Sequence, residues 1–120
     1  MLRAFRIDKR RLVPLSPGEG LDMAQWIDLY RPLPDQVAAL AALGVSVPTL
    51  EDMEEIEMSN RLYREDGADV MTVVLPGQTP EGAHVSGPVT FILGQGRLVT
   101  VRHHAPRPFE TFAERADRSS

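Results

Sequence analysis

Two runs of alternating apolar residues, each broken by a glycine-bearing turn signal, constrain this chain more than any other feature. Arg61 to Glu65 and Asp69 to Leu75 flank Asp66-Gly67, and a two-residue Asp-Gly connection is a strong hairpin signal because both residues must take positive φ. Val89 to Leu93 and Arg97 to Val101 flank Gly94-Gln95-Gly96 and predict a second hairpin. Val70 to Leu75 is β-branched and almost continuously apolar, so this strand is expected in the middle of a sheet, covered on both faces. Between the hairpins, Pro76 to Pro88 is rich in glycine and proline and holds little that could pack. It reads as a mobile loop.

The rest of the chain supplies strands and short helices in an order that favours layers. Leu2 to Ile7 alternates as a half-buried strand, Asp8 to Arg11 is a polar break, and Leu12 to Leu15 returns as a second strand. Pro14 cannot donate to a ladder, which confines that strand to an edge or ends it there. After a loop at Ser16 to Gly20, Trp26 to Tyr30 forms the next strand, stopped by Pro32. Pro34 suits a first helical position; Val37, Leu40, Ala41 and Leu43 give an apolar stripe, and Gly44 closes the helix. A second helix opens at Pro48 and ends at Ser59-Asn60. Past Pro106 and Pro108, Phe109, Phe112, Ala113 and Ala116 share one stripe, predicting a late helix that covers the sheet, with Arg118 to Ser120 fraying. This order predicts an α/β (α+β) domain: a mixed sheet with helices packed on both faces.

At 120 residues the chain suits one domain, 1–120, large enough for a core without staples. It has no cysteine, which excludes thiol catalysis and cysteine-ligated zinc. Thirteen basic against seventeen acidic residues leave a net charge of −4, the wrong sign for a general phosphate-backbone binder. The most apolar run, Val37 to Val45, falls well short of the roughly 18–20 residues a bilayer crossing needs, and the N-terminus lacks a signal peptide's apolar core. A soluble chain is expected.

Chemistry concentrates in the second helix, where five of the seven residues from Glu51 to Glu57 are carboxylates. Asp52 has two readings. Thr49-Leu50-Glu51-Asp52 fits a capping box, in which the fourth residue reaches back to the first residue's N–H; the same carboxylate could serve a hard cation. Glu51, Glu54, Glu55 and Glu57 read as a solvated face. His103 and His104 are adjacent and point to opposite faces of a strand, so they read as exposed, ordinary histidines, with His84 alone in its loop. Alternation puts Asp28 on the face of Trp26, where it reads as a strand-end residue capping a turn. Gly94-Gln95-Gly96 lacks the following helix of a phosphate loop. No set of residues forms an active site, and a non-enzyme is expected.

Four segments in order carry a resemblance: Trp26-Ile-Asp-Leu before a helix, Leu43-Gly-Val-Ser-Val-Pro-Thr-Leu-Glu-Asp-Met, Asn60-Arg-Leu-Tyr, and Pro88-Val-Thr-Phe-Ile-Leu-Gly with Leu98-Val-Thr-Val-Arg. Together they resemble the N-terminal cytosolic domain of the CorA family of magnesium and divalent-cation channels, whose relatives include the ZntB zinc transporters. The resemblance implies an α/β/α sandwich. It also implies a regulatory and assembly domain on the cytoplasmic side of the inner membrane, within a homopentamer that senses intracellular magnesium. Asp52, matching the aspartate of the family's Leu-Glu-Asp motif, would be a metal ligand shared across protomers, with Glu51 beside it as a second candidate. The family's stalk helix, membrane helices and Gly-Met-Asn motif have no match here, so an excised cytosolic portion is expected; the preferred ion, whether magnesium, cobalt, nickel or zinc, lies outside it. Two other readings are a stand-alone acidic interaction module whose helix docks on a basic partner, and a small enzyme using His103 or His104 with a carboxylate. The second of these needs a convergent pocket.

Overall fold

The computed structural model describes residues 1–55 and 62–109. Seven strands form one sheet: β1 (Leu2–Asp8), β2 (Arg11–Pro14), β3 (Trp26–Tyr30), β4 (Leu62–Glu65), β5 (Ala68–Gln78), β6 (His84–Gly94) and β7 (Arg97–Arg102). Their spatial order is β2-β1-β3-β7-β6-β5-β4. The pair at the centre, β3 and β7, is parallel, and every other pair is antiparallel. The mixed α/β sheet expected from the sequence is therefore present, with β2 and its Pro14 at an edge.

Turn chemistry explains where the hairpins fold. Asp66 and Gly67 have φ of 53° and 78°, and Gln95 and Gly96 have 55° and 69°, the doubly positive geometry that matches strand twist. The β1–β2 turn takes the same form at Lys9 and Arg10, with φ of 50° and 65°, although neither residue is suited to it. Helix α1 (Pro34–Ala42) starts on proline, with the Gln36 side chain accepting from the Leu33 N–H at 2.9 Å. It ends in a Schellman motif: Gly44 at φ 81° donates to Ala41 O and Val45 to Leu40 O, which satisfies carbonyls the helix leaves open. Helix α2 is described over Leu50–Glu55. Its expected stop at Ser59-Asn60 and the β4 start at Arg61 lie outside the described residues.

Alternation along the strands divides the sheet into two faces. Ile27, Leu29, Val99, Val101, Ile92 and Val70 point to one side, where Leu40 of α1 and Met53 of α2 complete the core. Burial of each such side chain stabilises by roughly 1.5–3 kcal/mol. The other face carries Phe5 stacked on Trp26 with centroids 4.9 Å apart, and Phe109 within 6.4 Å of Trp26 and 6.1 Å of Phe91. The remainder of the expected late helix, with Phe112, Ala113 and Ala116, lies outside the described residues, as does the end at Arg118 to Ser120.

Two expectations are corrected. β5 is not central: it is next to the edge strand β4, its burial alternates, and Met71 and Val74 are 40% and 49% exposed. The Pro76–Pro88 segment is not a loop, because β5 runs to Gln78, β6 begins at His84, and only residues 79–83 connect them. The prolines misled because their placement depends on bond direction. Gln78 turns both its N–H and its C=O outward to Ala105, so Pro76, two residues earlier, also faces away from β6 and owes it no donor.

Candidate functional site

Asp52 sits in the first turn of α2, exposed, with its carboxylate half committed. Its Oδ2 accepts from the Thr49 N–H at 3.2 Å while its own N–H donates to Thr49 Oγ1 at 3.0 Å. The capping box is thus formed in full. An ionised carboxylate has about four accepting positions, so one cap bond leaves the group open to a cation as well. The two readings of Asp52 are compatible.

Beside it runs a cleft of about 280 Å³ bounded by Ser46, Val47 and Pro48 of the α1–α2 link, by Asp52, and by Tyr63 and Glu65 of β4. Tyr63 pairs with Val70 in register, so Tyr63 and Glu65, two residues apart, both face the helical side of the sheet. The Tyr63 phenol is pushed above its ordinary range, first by burial and then by the charges of Glu65 and Asp52. Two carboxylates and a phenol oxygen therefore share one electrostatic environment. Glu51 is exposed and does not line this cleft, and Glu54 faces a different one with Met53, Thr72 and Gly87.

The polar side chains of this cleft, set among Val47, Pro48, Val70 and Ile92, end in oxygen, the ligand type of a hard, hydrated cation such as magnesium, which commonly binds through one or two carboxylates and keeps several waters. Among the described residues no nitrogen or sulfur side chain lines the cleft, the ligand types that softer metals prefer. Among the described residues no group of three or more histidines, aspartates or glutamates is placed to hold a metal. A cation here would need water or a second chain to complete its shell.

The histidines differ from expectation. His104 is 5% exposed, with Nε2 2.8 Å from the Leu75 carbonyl, and His103 Nε2 is buried with no hydrogen-bond partner among the described residues. The His103 pKa is lowered, mainly by burial and then by Arg31; Glu54 acts in the opposite direction, and His104 lowers it further. His84 is exposed at the start of β6 rather than within a loop. No convergent pocket with a paired carboxylate forms around either His103 or His104 among the described residues, so the expected exposed pair is replaced by two packed rings.

Asp28 is corrected as well. It caps no turn: it is 1% exposed in mid-strand. It accepts from Arg102 Nη2 at 2.8 Å and Nε at 3.1 Å, from Thr100 Oγ1 at 2.9 Å, and from Arg3 at 3.4 Å. Trp26 Nε1 donates to Thr100 Oγ1 at 3.0 Å, and the Arg102 guanidinium lies 4.5 Å from the Tyr30 ring centre. This network locks β1, β3 and β7 together. An aspartate and an arginine inside otherwise apolar strands were its signal in the sequence.

Fold and site define a class: a mixed α/β domain with an exposed, carboxylate-bearing cleft and no catalytic constellation among its described residues. No protein-family model matches the chain. Among curated proteins it is 32% identical over 120 residues to the magnesium transport protein CorA of Salmonella typhimurium, and 30% identical over 119 residues to that of Escherichia coli strain K12. Each alignment takes in 97% of this chain and 38% of the relative, so the chain spans well under half of those proteins. The fold is similar to the complete CorA magnesium transporter of Methanocaldococcus jannaschii, with a TM-score of 0.65 at 14% identity, covering 95% of this chain and 36% of that one. It is also similar to the soluble domain of CorA from that organism, with a TM-score of 0.61 at 12% identity, covering 95% and 45%.

In sequence and in fold the chain is thus similar to part of these CorA proteins. The curated relatives are named as transport proteins, not enzymes. Among the described residues no helix is long and apolar enough to cross a membrane.

Proposed function

We propose that this chain is the regulatory and assembly domain of a CorA-like magnesium transporter, lying on the cytoplasmic side of the membrane and sensing divalent cation between protomers. Asp52 supplies one carboxylate of a weak site, and an acidic residue of a neighbouring protomer completes it. Glu51, exposed beside it, is a second candidate ligand from the same helix. One observation carries the reading: Asp52 is exposed, spends a single accepting position on its cap, and shares its cleft with Glu65. Carboxylates brought face to face repel until a cation lies between them, so magnesium would favour the close assembly, and its loss would loosen it. The homopentamer belongs to the same proposal.

The test is limited proteolysis of the full transporter with and without magnesium. Magnesium should slow cleavage of the native protein and have no such effect on Asp52→Asn, which keeps a capping oxygen and loses the charge. Equal magnesium protection of both would reject the role of Asp52.

A further inference from the structure

β5 and β6 stay paired from Asp69–Leu93 to Gln78–His84, but among the described residues β4 reaches only Met71 and β7 only Val89. Their distal halves, Val74–Gln78 and His84–Pro88, form a ribbon flanked by neither strand. Two strands alone are marginal in water, and this ribbon leaves Val74 and Val85 exposed. Something else must hold it.

That role falls to the segment leaving β7. Arg102 ends β7 on the β6 side, whereas Ala105 bridges Gln78 on the outer edge of β5, with N–H···O distances of 2.8 and 3.1 Å in the two directions. Between them the chain crosses one face of the ribbon, and His104 lies on that face. Its Nε2 is 2.8 Å from the Leu75 carbonyl; a carbonyl only accepts, so Nε2 carries the proton. Gly77 and Gly87 leave room for the ring: a Cβ at Gly77 would stand 2.7 Å from the imidazole Cδ2, and one at Gly87 3.0 Å from Nδ1. Leu75 is the register partner of Gly87, so both glycines and Leu75 belong to the same face. The near end is anchored by Arg102, whose Nη1 donates to the His104 carbonyl at 3.0 Å while its other nitrogens hold Asp28.

We infer that residues 102–105 form a strap that sets whether the distal β5–β6 ribbon lies fixed to the sheet or swings free, with His104 as its buckle in a slot made by Gly77 and Gly87. The tip moves with the ribbon as one piece, because Thr79 and Ala83 close it with their own bonds. On this face release costs the strap's hydrogen bonds and the seat of one ring, while Met53 and Glu54 of α2 border the ribbon's other face at Val74 and Pro88; with no strand beside it, the ribbon opens at lower free energy than β3 and β7 do.

Amide hydrogen exchange measured by NMR on the whole 120-residue chain tests this. His104→Ala should speed exchange at Gln78, Val85 and Gly87 about tenfold or more, with Ile27 and Val99 unchanged. Gly87→Ala, with His104 intact, should speed Gln78 and Val85 in the same way by displacing the ring, although alanine in a strand ordinarily restricts the chain. Should His104→Ala not fold, Gly87→Ala decides alone. Unchanged ribbon exchange would overturn the inference, and so would equal acceleration at Ile27 and Val99, since His104 would then be an ordinary core residue.

Discussion

Removing the Asp28 carboxylate should be among the most damaging single changes available to this domain. Asp28 and Arg102 are 1% and 0% exposed, and the aspartate takes two of the arginine's nitrogens at 2.8 and 3.1 Å. Asp28→Ala takes the carboxylate away from a fully buried guanidinium, and removing one partner of such a buried pair costs about 3–5 kcal/mol. A chain of 120 residues at about 0.05–0.15 kcal/mol per residue has roughly 6–18 kcal/mol in total. The variant should therefore lose a quarter or more of its stability if the whole lies near the middle of that range. Urea unfolding followed by far-UV circular dichroism reads this as a lower midpoint at unchanged slope. The double variant Asp28→Leu with Arg102→Met removes both charges and should recover most of the loss. A cost of Asp28→Ala below about 1 kcal/mol, or a double variant no more stable than Asp28→Ala, would refute the view that the pair is a desolvated unit.

Three further outcomes follow from the geometry. Arg10→Gly should stabilise the domain by about 1 kcal/mol, because Arg10 holds a φ of 65° that costs a side-chain-bearing residue about that much; no gain in the urea midpoint would show that the turn stores no strain. Asp52→Asn should change stability by less than about 0.5 kcal/mol because the cap survives, whereas Thr49→Ala should cost about 1 kcal/mol; the reverse ranking would deny the capping box. His103 has a pKa lowered below its ordinary 6.5, so the unfolded chain binds its proton more tightly. Its contribution is complete above about 6.5 and is lost as pH falls from there through the depressed native value. His103→Asn should flatten the stability profile in that window, and an unchanged profile would place the titration elsewhere.

Features governed by a few consecutive residues were legible in the sequence, and features governed by sheet order were not. Asp66-Gly67, Pro34, Gly44 and the Thr49–Asp52 box each declare a local backbone geometry that no distant contact needs to supply. The position of β5 next to an edge depends on which strands flank it, so the apolarity of Val70 to Leu75 suggested a central strand. Pro76 and Pro88 read as breakers because a one-dimensional pattern does not show which side of a strand lacks a neighbour. Asp28 and Arg102 stand 74 residues apart in the chain, and only the parallel pairing of β3 with β7 brings them together. Asp52 was legible as a candidate, but its companions Glu65 and Tyr63 were not, since β4 reaches the start of α2 only through the folded sheet.

The central claim, that Asp52 takes a divalent cation, is tested most directly by titrating magnesium chloride into the isotope-labelled chain at constant ionic strength and following its amide resonances. The account predicts saturable shifts centred on Asp52, Tyr63 and Glu65, and their loss in Asp52→Asn. Shifts that persist in Asp52→Asn, or that spread without saturation over every exposed carboxylate, would contradict it.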